Sequence, residues 1–386
     1  MSIHPVKGVT MATCIKNRSI LVLASPPSPA ERSAIRGAFH DSISATLTQL
    51  TPGSSLLVAV AAPFLPPDWS RLQSLLAKLY SLVALIQADH DNPADVNVLL
   101  VDHAPGREYT CDRSNSDNDS CIVNLGALAS LPVKWSRIFH ASTEASIAAL
   151  QTFLSVHERS TAILRDQIIA VPGGVSMIQG QKPASGSRRF ARVIIGGTFD
   201  HFHLGHKLLL QASTFLLSIP FSAQSPAMFT IGITGDALLN NKRYASEIEP
   251  WSVRAQAVTD FVGSLLLETP SIISSSTTEL ITSLVGGRLQ VRCTEILDAY
   301  GPTTRERDLG ALVVSGETRS GGKAVNDKRR ETGWHELEVF EIDVLHATEQ
   351  EEGSIDGNYA AKISSTDYRR QQAEARSREK RVSYAV

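Results

Sequence analysis

The segment Gly196-Gly197-Thr198-Phe199-Asp200-His201-Phe202-His203-Leu204-Gly205-His206 constrains this chain more than any other. A short apolar run, Val193-Ile194-Ile195, precedes it and predicts a buried strand. Lys207-Leu208-Leu209-Leu210-Gln211-Ala212 follows and predicts a helix. Strand, glycine turn and helix in this order bring backbone N–H groups and a helix N-terminus to one point, where a phosphate is held. His203 and His206 share one face of the helix start and can reach the same phosphoryl group. Gly196 and Gly197 allow close backbone approach, Thr198 can donate its hydroxyl to a phosphate oxygen, and Gly205 removes a side chain where a triphosphate would lie. A zinc site built on the two histidines is the weaker reading, because no third Asp, Glu or Cys recurs at ligand spacing.

The chain has 386 residues, enough for two domains that each bury a core. Its formal net charge of -2 gives no bulk attraction to nucleic acid or membrane. The apolar run 55–63 is too short for a membrane span and is closed by Pro63, Pro66 and Pro67. The N-terminus lacks the continuous apolar stretch of a secretory signal. Cys14, Cys111, Cys121 and Cys293 are scattered without a CxxC pair, which fits a reducing compartment: the cytoplasm by default, with the nucleus also open.

Strands are expected at 19–24, 55–62 and 96–101, with helices at 29–50, 68–88 and around 143–157. This alternation predicts an N-terminal α/β domain over 19–171, after a flexible 1–18. The polar stretch 112–120 reads as a loop, and 172–189, rich in Gly, Ser, Lys and Gln, as a linker. A second domain over 190–370 is expected to hold strands at 192–196, 228–233, 289–295, 311–315 and 338–344. Its helices are expected to start at Leu204, Ser252, Thr277 and Thr366. The fold class is therefore α/β, with a doubly wound, parallel five-stranded sheet that binds ligands beyond the strands' carboxyl ends. The stretch 371–386 reads as a basic helix or tail, solvated rather than bound to nucleic acid.

Two further clusters carry charge chemistry. Ser364-Ser365-Thr366 caps a helix and directs hydroxyls and N–H groups at an anion, with Arg369 one turn in as a cationic fork; a plain helix cap accounts for these residues equally well. Lys242-Arg243 follows the second strand of the domain, where a cation would help two phosphates approach; a solvated surface lysine is the alternative.

GTFDxxHxGH at 197–206 and ISSTxxR at 363–369 resemble the nucleotidyltransferase superfamily. TGDxLLxxK at 234–242, DxYGPT at 298–303 and VSxETxxGxxxVNxxR at 314–329 narrow the resemblance to the eukaryotic and archaeal type of phosphopantetheine adenylyltransferase, in a fungal-like form with an added N-terminal domain. That resemblance covers 190–370. It implies a Rossmann-like domain that moves AMP from ATP, with Mg2+, to 4′-phosphopantetheine. Thr198 and His206 would hold the α-phosphate and Lys242 would neutralise the acceptor, making His206, Thr198 and Lys242 the catalytic set. Gly197, Phe199, His203, Ser364, Ser365, Thr366 and Arg369 would complete the nucleotide site, and Glu317 and Thr318 would line its adenine and ribose side. Asp298, Tyr300 and Thr303 would shape the pocket, although a structural turn at Gly301-Pro302 explains them equally well. No metal ligands on the chain are implied. The N-terminal domain has no catalytic constellation and its role is left open, with docking of partner enzymes of coenzyme A synthesis as one option.

Glu317–Ala324 resembles the end of a kinase phosphate loop but has Ala324 where Ser or Thr must bind magnesium, so no appended kinase is expected. The rival readings are a cytidylyltransferase of phospholipid precursor synthesis, which shares GTFDxxHxGH, and a non-catalytic nucleotide-binding scaffold.

Overall fold

A computed structural model of the chain describes residues 18–24, 26, 30–90, 94–109, 119–157, 162–174, 186–316, 318–343, 345, 365–366, 369–370, 372–374 and 376. They form two compact units, one within Met1–Pro63, Ile86–Arg113 and Leu125–Gln181, the other within Phe64–Leu85, Ser114–Asn124 and Lys182–Val386. Most of the predicted loop at 112–120, the middle of the predicted linker and nearly all of the basic tail lie outside the described residues.

The first elements in chain order are β1 (Arg18–Ala24), α1 (Arg32–Leu47), β2 (Ser55–Ala62), α2 (Trp69–His90) and β3 (Asp95–Asp102). After them come α3 (Leu125–Ala129), β4 (Arg137–Ala141), α4 (Glu144–His157) and β5 (Ile168–Val171). The strands form one all-parallel sheet in the order β3-β2-β1-β4-β5. Parallel strands are covered on both faces, so they read as unbroken apolar runs; Ile20 through Leu23 are wholly buried. β4 and β5 have no counterpart among the sequence expectations. They are short, Arg137 and His140 break the apolar run of β4, and β4 pairs with β1, far away in sequence, while β5 pairs with β4.

The second unit continues with β6 (Arg192–Gly197), α5 (Leu204–Thr214), β7 (Ala227–Thr234), α6 (Trp251–Leu265), β8 (Ser271–Ser275) and β9 (Glu279–Leu284). It ends with β10 (Leu289–Ile296), β11 (Ala311–Ser315), α7 (Arg319–Glu331) and β12 (Glu338–Ile342). Its sheet order is β12-β11-β6-β7-β10-β9-β8. The first five are parallel, as expected, and β9 and β8 extend the β10 edge in antiparallel fashion.

The helix expected from Thr277 is not formed. Glu279–Leu284 alternates half-buried and buried positions, the two-residue period of a strand. Ser276 turns the hairpin, its Oγ accepting from the N–H groups of Thr278 and Glu279. α7 has no counterpart among the sequence expectations either, since Gly321 and Gly322 lower its helix propensity. Gly322 has a packing reason: a Cβ there would lie 3.2 Å from Val339.

In this sheet the chain runs from β6 through β7 to β10 on one side, while β11 and β12 lie on the other. The order reverses between β6 and β11, and open α/β sheets bind ligands outside the carboxyl ends of strands at such a reversal. β6 ends at Gly197 and β11 at Ser315, so the histidine segment leaves the sheet at this point.

The first part of α2 belongs to this unit. Trp69 Nε1 donates to the Ala212 carbonyl at 3.0 Å and its ring meets Phe340 edge-on at 5.0 Å. Tyr80 donates its hydroxyl to Gln211 Oε1 at 3.0 Å. α5 is thus braced from behind by residues more than a hundred positions upstream. Cys121 and Cys293 are free and buried, and burial pushes both thiols up to about 12, which makes them inert as nucleophiles. Among the described residues no helix is long and apolar enough to cross a membrane.

Candidate functional site

The loop from β6 to α5 holds two non-glycine residues in the left-handed region, Phe199 at φ 53° and His201 at φ 46°. Each such residue costs about 1–3 kcal/mol and persists only where its surroundings hold it. Phe199 is wholly buried, its ring 5.2 Å from that of His206. Its side chain therefore packs beneath His206. His201 is clasped twice: its N–H donates to Glu249 Oε2 at 2.8 Å, and its Nε2 donates to the Glu247 carbonyl at 2.7 Å. Asp200, also buried, accepts from the Glu249 N–H at 2.9 Å.

Asp200, His201 and Glu249 are the described side chains whose ligand atoms come within 4.8 Å of one another, as a metal site would require. Each is engaged with the protein instead. The Nε2 proton of His201 occupies the nitrogen a metal would need, and the Arg369 guanidinium stands 3.4 Å from Asp200 Oδ2, where a cation would be repelled. The trio is a clasp for the loop.

His203 is the N-cap of α5, its Nδ1 accepting from the Gly205 N–H at 3.1 Å. That bond assigns the proton of the neutral ring to Nε2, which lies 3.3 Å from Ser365 Oγ. His206 stacks on His203 with ring centroids 3.8 Å apart and 22° between planes, and Phe202 lies against its ring at 5.7 Å. A Cβ on Gly205 would sit 3.1 Å from the His203 ring, so this glycine makes room first for the histidine itself. Beyond β7, Lys242 Nζ reaches back and donates to Thr198 Oγ1 at 3.2 Å. Thr198, Lys242, His203, His206 and Ser365, from three separate segments, thus gather around the end of β6 and the N-terminus of α5.

Other expected residues are placed differently. Thr318 closes the turn after β11, its hydroxyl accepting from the Ser315 N–H at 3.0 Å. Thr366 Oγ1 accepts from Arg369 Nη2 at 2.9 Å, and Arg369 Nε points at the Ser365 carbonyl at 3.3 Å. Arg369 is buried against Asp200 rather than open as a fork; among the described residues its Nη1 alone has no hydrogen-bond partner. Glu317 and Ser364 lie outside the described residues.

The turn at 298–305 carries its own hydrogen bonds. Asp298 Oδ1 accepts from the N–H groups of Gly301 and Tyr300 at 2.6 and 2.9 Å, which together with Arg305 holds its carboxyl below the usual range. Thr303 donates to the Tyr300 carbonyl at 2.5 Å. Of the two readings left open for these residues, the geometry fits the structural turn.

Two residues that sequence reasoning misses are wholly buried arginines, Arg254 and Arg329. Arg329, the last residue of the VNxxR element, donates to the carbonyls of Thr303, Glu306, Arg307 and His335 at 2.5–2.9 Å. It pins the 298–307 turn to α7. Arg329→Met would leave four carbonyls without their donor, so a loss of about 3 kcal/mol or more is expected, read as the chemical-denaturation midpoint. A loss below about 1 kcal/mol would show that water replaces the guanidinium. An isolated arginine in a helix looks like a solvated charge, and only the fold reveals what it binds.

A domain of unknown function (DUF8446) matches residues 11–177. A protein named phosphopantetheine adenylyltransferase from Saccharomyces cerevisiae is 35% identical over 193 residues, 50% of this chain and 51% of that protein. Another of that name, from Pyrococcus abyssi, is 33% identical over 157 residues, 41% of this chain and 81% of that protein. The chain thus spans about half the length of the yeast relative but most of the archaeal one. A solved structure of a protein with unknown function from Archaeoglobus fulgidus is 26% identical and covers 39% of this chain and 89% of its own, at a TM-score of 0.28, too low to carry an argument.

Proposed function

This chain belongs to the phosphopantetheine adenylyltransferase family, and on that premise we propose that it transfers AMP from ATP to 4′-phosphopantetheine, giving dephospho-coenzyme A and pyrophosphate. The observation that carries the reading is the Lys242–Thr198 contact of 3.2 Å beside the stacked histidines at the N-terminus of α5. A cation and several hydrogen-bond donors converge there, which is what the approach of one phosphate to another requires.

In the proposed reaction a phosphate oxygen of the acceptor attacks the α-phosphorus in line. The bond from that phosphorus to the oxygen bridging to the β-phosphate breaks, and its electron pair leaves on pyrophosphate. The acceptor phosphate is already ionised, so no general base is needed. The protein supplies position and charge. His206 and Thr198 donate to the α-phosphate oxygens, His203 and Ser365 to the outer phosphates, and Lys242 offsets the repulsion between acceptor and nucleotide. Arg369 holds Ser365 and Thr366 in place. ATP would enter as its magnesium complex, since Asp200, His201 and Glu249 are committed to the loop and would not hold the ion; the metal would supply charge neutralisation on the phosphates. The buried free thiols of Cys121 and Cys293 suit a reducing compartment, and the reaction is assigned to the cytoplasm.

The test is incubation with ATP, magnesium and 4′-phosphopantetheine, followed by mass detection of dephospho-coenzyme A. A preference for CTP would move the protein to the cytidylyltransferases, and ATP binding without turnover on any acceptor would make it a scaffold. Lys242→Ala is expected to lower kcat about a hundredfold, the size typical of one charged transition-state partner. Unchanged kcat would return Lys242 to the solvated surface.

A further inference from the structure

Arg254, on α6, touches none of the groups assigned to the substrates, yet its planar fork ties together the segments that carry them. Its Nη1 donates to the Thr198 carbonyl at 2.5 Å and its Nε to the Glu249 carbonyl at 2.9 Å. Its Nη2 donates both to the Thr234 carbonyl at 2.9 Å and to Asp236 Oδ1 at 2.6 Å. The side chain is wholly buried. Thr198 stands just beyond β6, Thr234 ends β7, and Glu249 clasps His201. One guanidinium therefore spans the ends of two neighbouring strands and the segment that closes over the histidine loop. Asp236, the acid of the TGD element, neutralises it and also accepts from the Trp251 N–H at 3.3 Å, at the start of the helix that bears Arg254.

Resting on the adenylyl-transfer reading, we infer that Arg254 is a positioning residue for that reaction: it fixes the backbone of Thr198 relative to the β7 loop so that Thr198 and Lys242 face the same phosphate. The inference follows from the shape of the group. Four acceptors on three segments are met by donors in one rigid plane, a set no other side chain provides. Lysine keeps the charge but offers a single point from which strand ends on both sides cannot be held together. The gap between Thr198 and Lys242 is then free to drift, and a displacement of about 1 Å near the reacting atoms costs on the order of a hundredfold in rate.

The test is a double-mutant cycle in the full chain, with dephospho-coenzyme A formation as the readout. Arg254→Lys should lower kcat on the order of a hundredfold per ATP-binding site, counted by titration with a non-hydrolysable ATP analogue, with KM for ATP changed less than about threefold. Added to Arg254→Lys, Lys242→Ala should cost less than about threefold more, because the pair it would disrupt is already out of place. A full further hundredfold would show that the two residues act independently and would overturn the inference, as would wild-type kcat in Arg254→Lys. A loss of ATP-binding sites in proportion to the loss of rate would reduce Arg254 to a folding role.

Should Arg254→Lys fail to fold, Asp236→Asn, whose side chain is more than half exposed, takes its place in the cycle with the same expectations. Amide hydrogen exchange of 198–206 and 234–242 reads the link with no substrate present. Faster exchange in both segments of the variant is expected, and unchanged exchange would overturn the inference. A wild-type chain that makes no dephospho-coenzyme A would sink the proposed function instead, and the exchange measurement would still decide the role of Arg254.

Discussion

His206→Ala is expected to lower kcat by a hundredfold or more while the protein remains folded. As the AMP unit passes between oxygens, negative charge builds on the oxygens of the α-phosphate. A donor already aimed at that position stabilises the transition state without reorganising, and removing one such donor typically costs about 10²–10³ in rate. The His206 ring is well prepared for this task. It is stacked on His203 at 3.8 Å and backed by Phe199 and Phe202 at 5.2 and 5.7 Å, so it has little rotational freedom left to lose on binding. The same contacts bound the structural cost: truncating a half-buried ring with two aromatic neighbours forfeits about 1–2 kcal/mol, within what a stable domain tolerates. The measurement is kcat at saturating ATP and 4′-phosphopantetheine alongside a thermal unfolding curve. Near-normal turnover with an unchanged curve would remove His206 from the chemistry and leave it as packing for His203.

The local geometry of this site was legible in sequence because it is built from local rules. A buried strand, a glycine turn and a helix with an N-cap at His203 follow from residues within reach of one another, and so does the shared face of the two histidines. The five parallel strands of the second unit were legible for a related reason, since strands covered on both faces leave unbroken apolar runs. What stayed hidden depends on partners distant in the chain. Arg254 and Arg329 look like ordinary helix charges until the loops they hold are seen around them. Arg369 looks like an open cation until Asp200 is found against it. Thr277 failed for a different reason: a short Ser- and Thr-rich stretch fits both periods, and pairing with β10 settled it as strand. Motif spelling also blurred roles. Within VNxxR and DxYGPT, Arg329, Asn326 and Asp298 are engaged with the backbone, Asn326 exchanging hydrogen bonds with the Leu337 N–H and carbonyl at 2.9 Å.

A fragment beginning at residue 190 is expected to be insoluble or to unfold well below the full chain. The leucine spacing of α2 predicts an amphipathic helix but says nothing about which sheet it covers, and Phe64–Leu85 turns out to pack as part of the second unit. Trp69 and Tyr80 are 8% and 0% exposed, and burying two such rings is worth about 5 kcal/mol. Around them the fragment would lose the bonds to Ala212 and Gln211, and the one from the Asp343 N–H to Gln73 Oε1 at 3.1 Å. It would also lose Asp119, whose carbonyl accepts from the Ile219 N–H at 2.7 Å. Together these rival the whole margin of a domain, about 5–15 kcal/mol. The loss falls on α5, whose N-terminus carries His203 and His206, so whatever fragment remains folded should also turn over more slowly. The solubility, thermal midpoint and turnover rate of the fragment, each set against the full chain, decide the matter. Trp69→Ala in the full chain gives the graded version, with an expected cost of about 3–5 kcal/mol. Equal stability and equal turnover in the fragment would show that α2 only shields a surface the second unit can leave bare. A large loss would mean that the second unit cannot be cut from the first half of the chain at the boundary its motifs suggest.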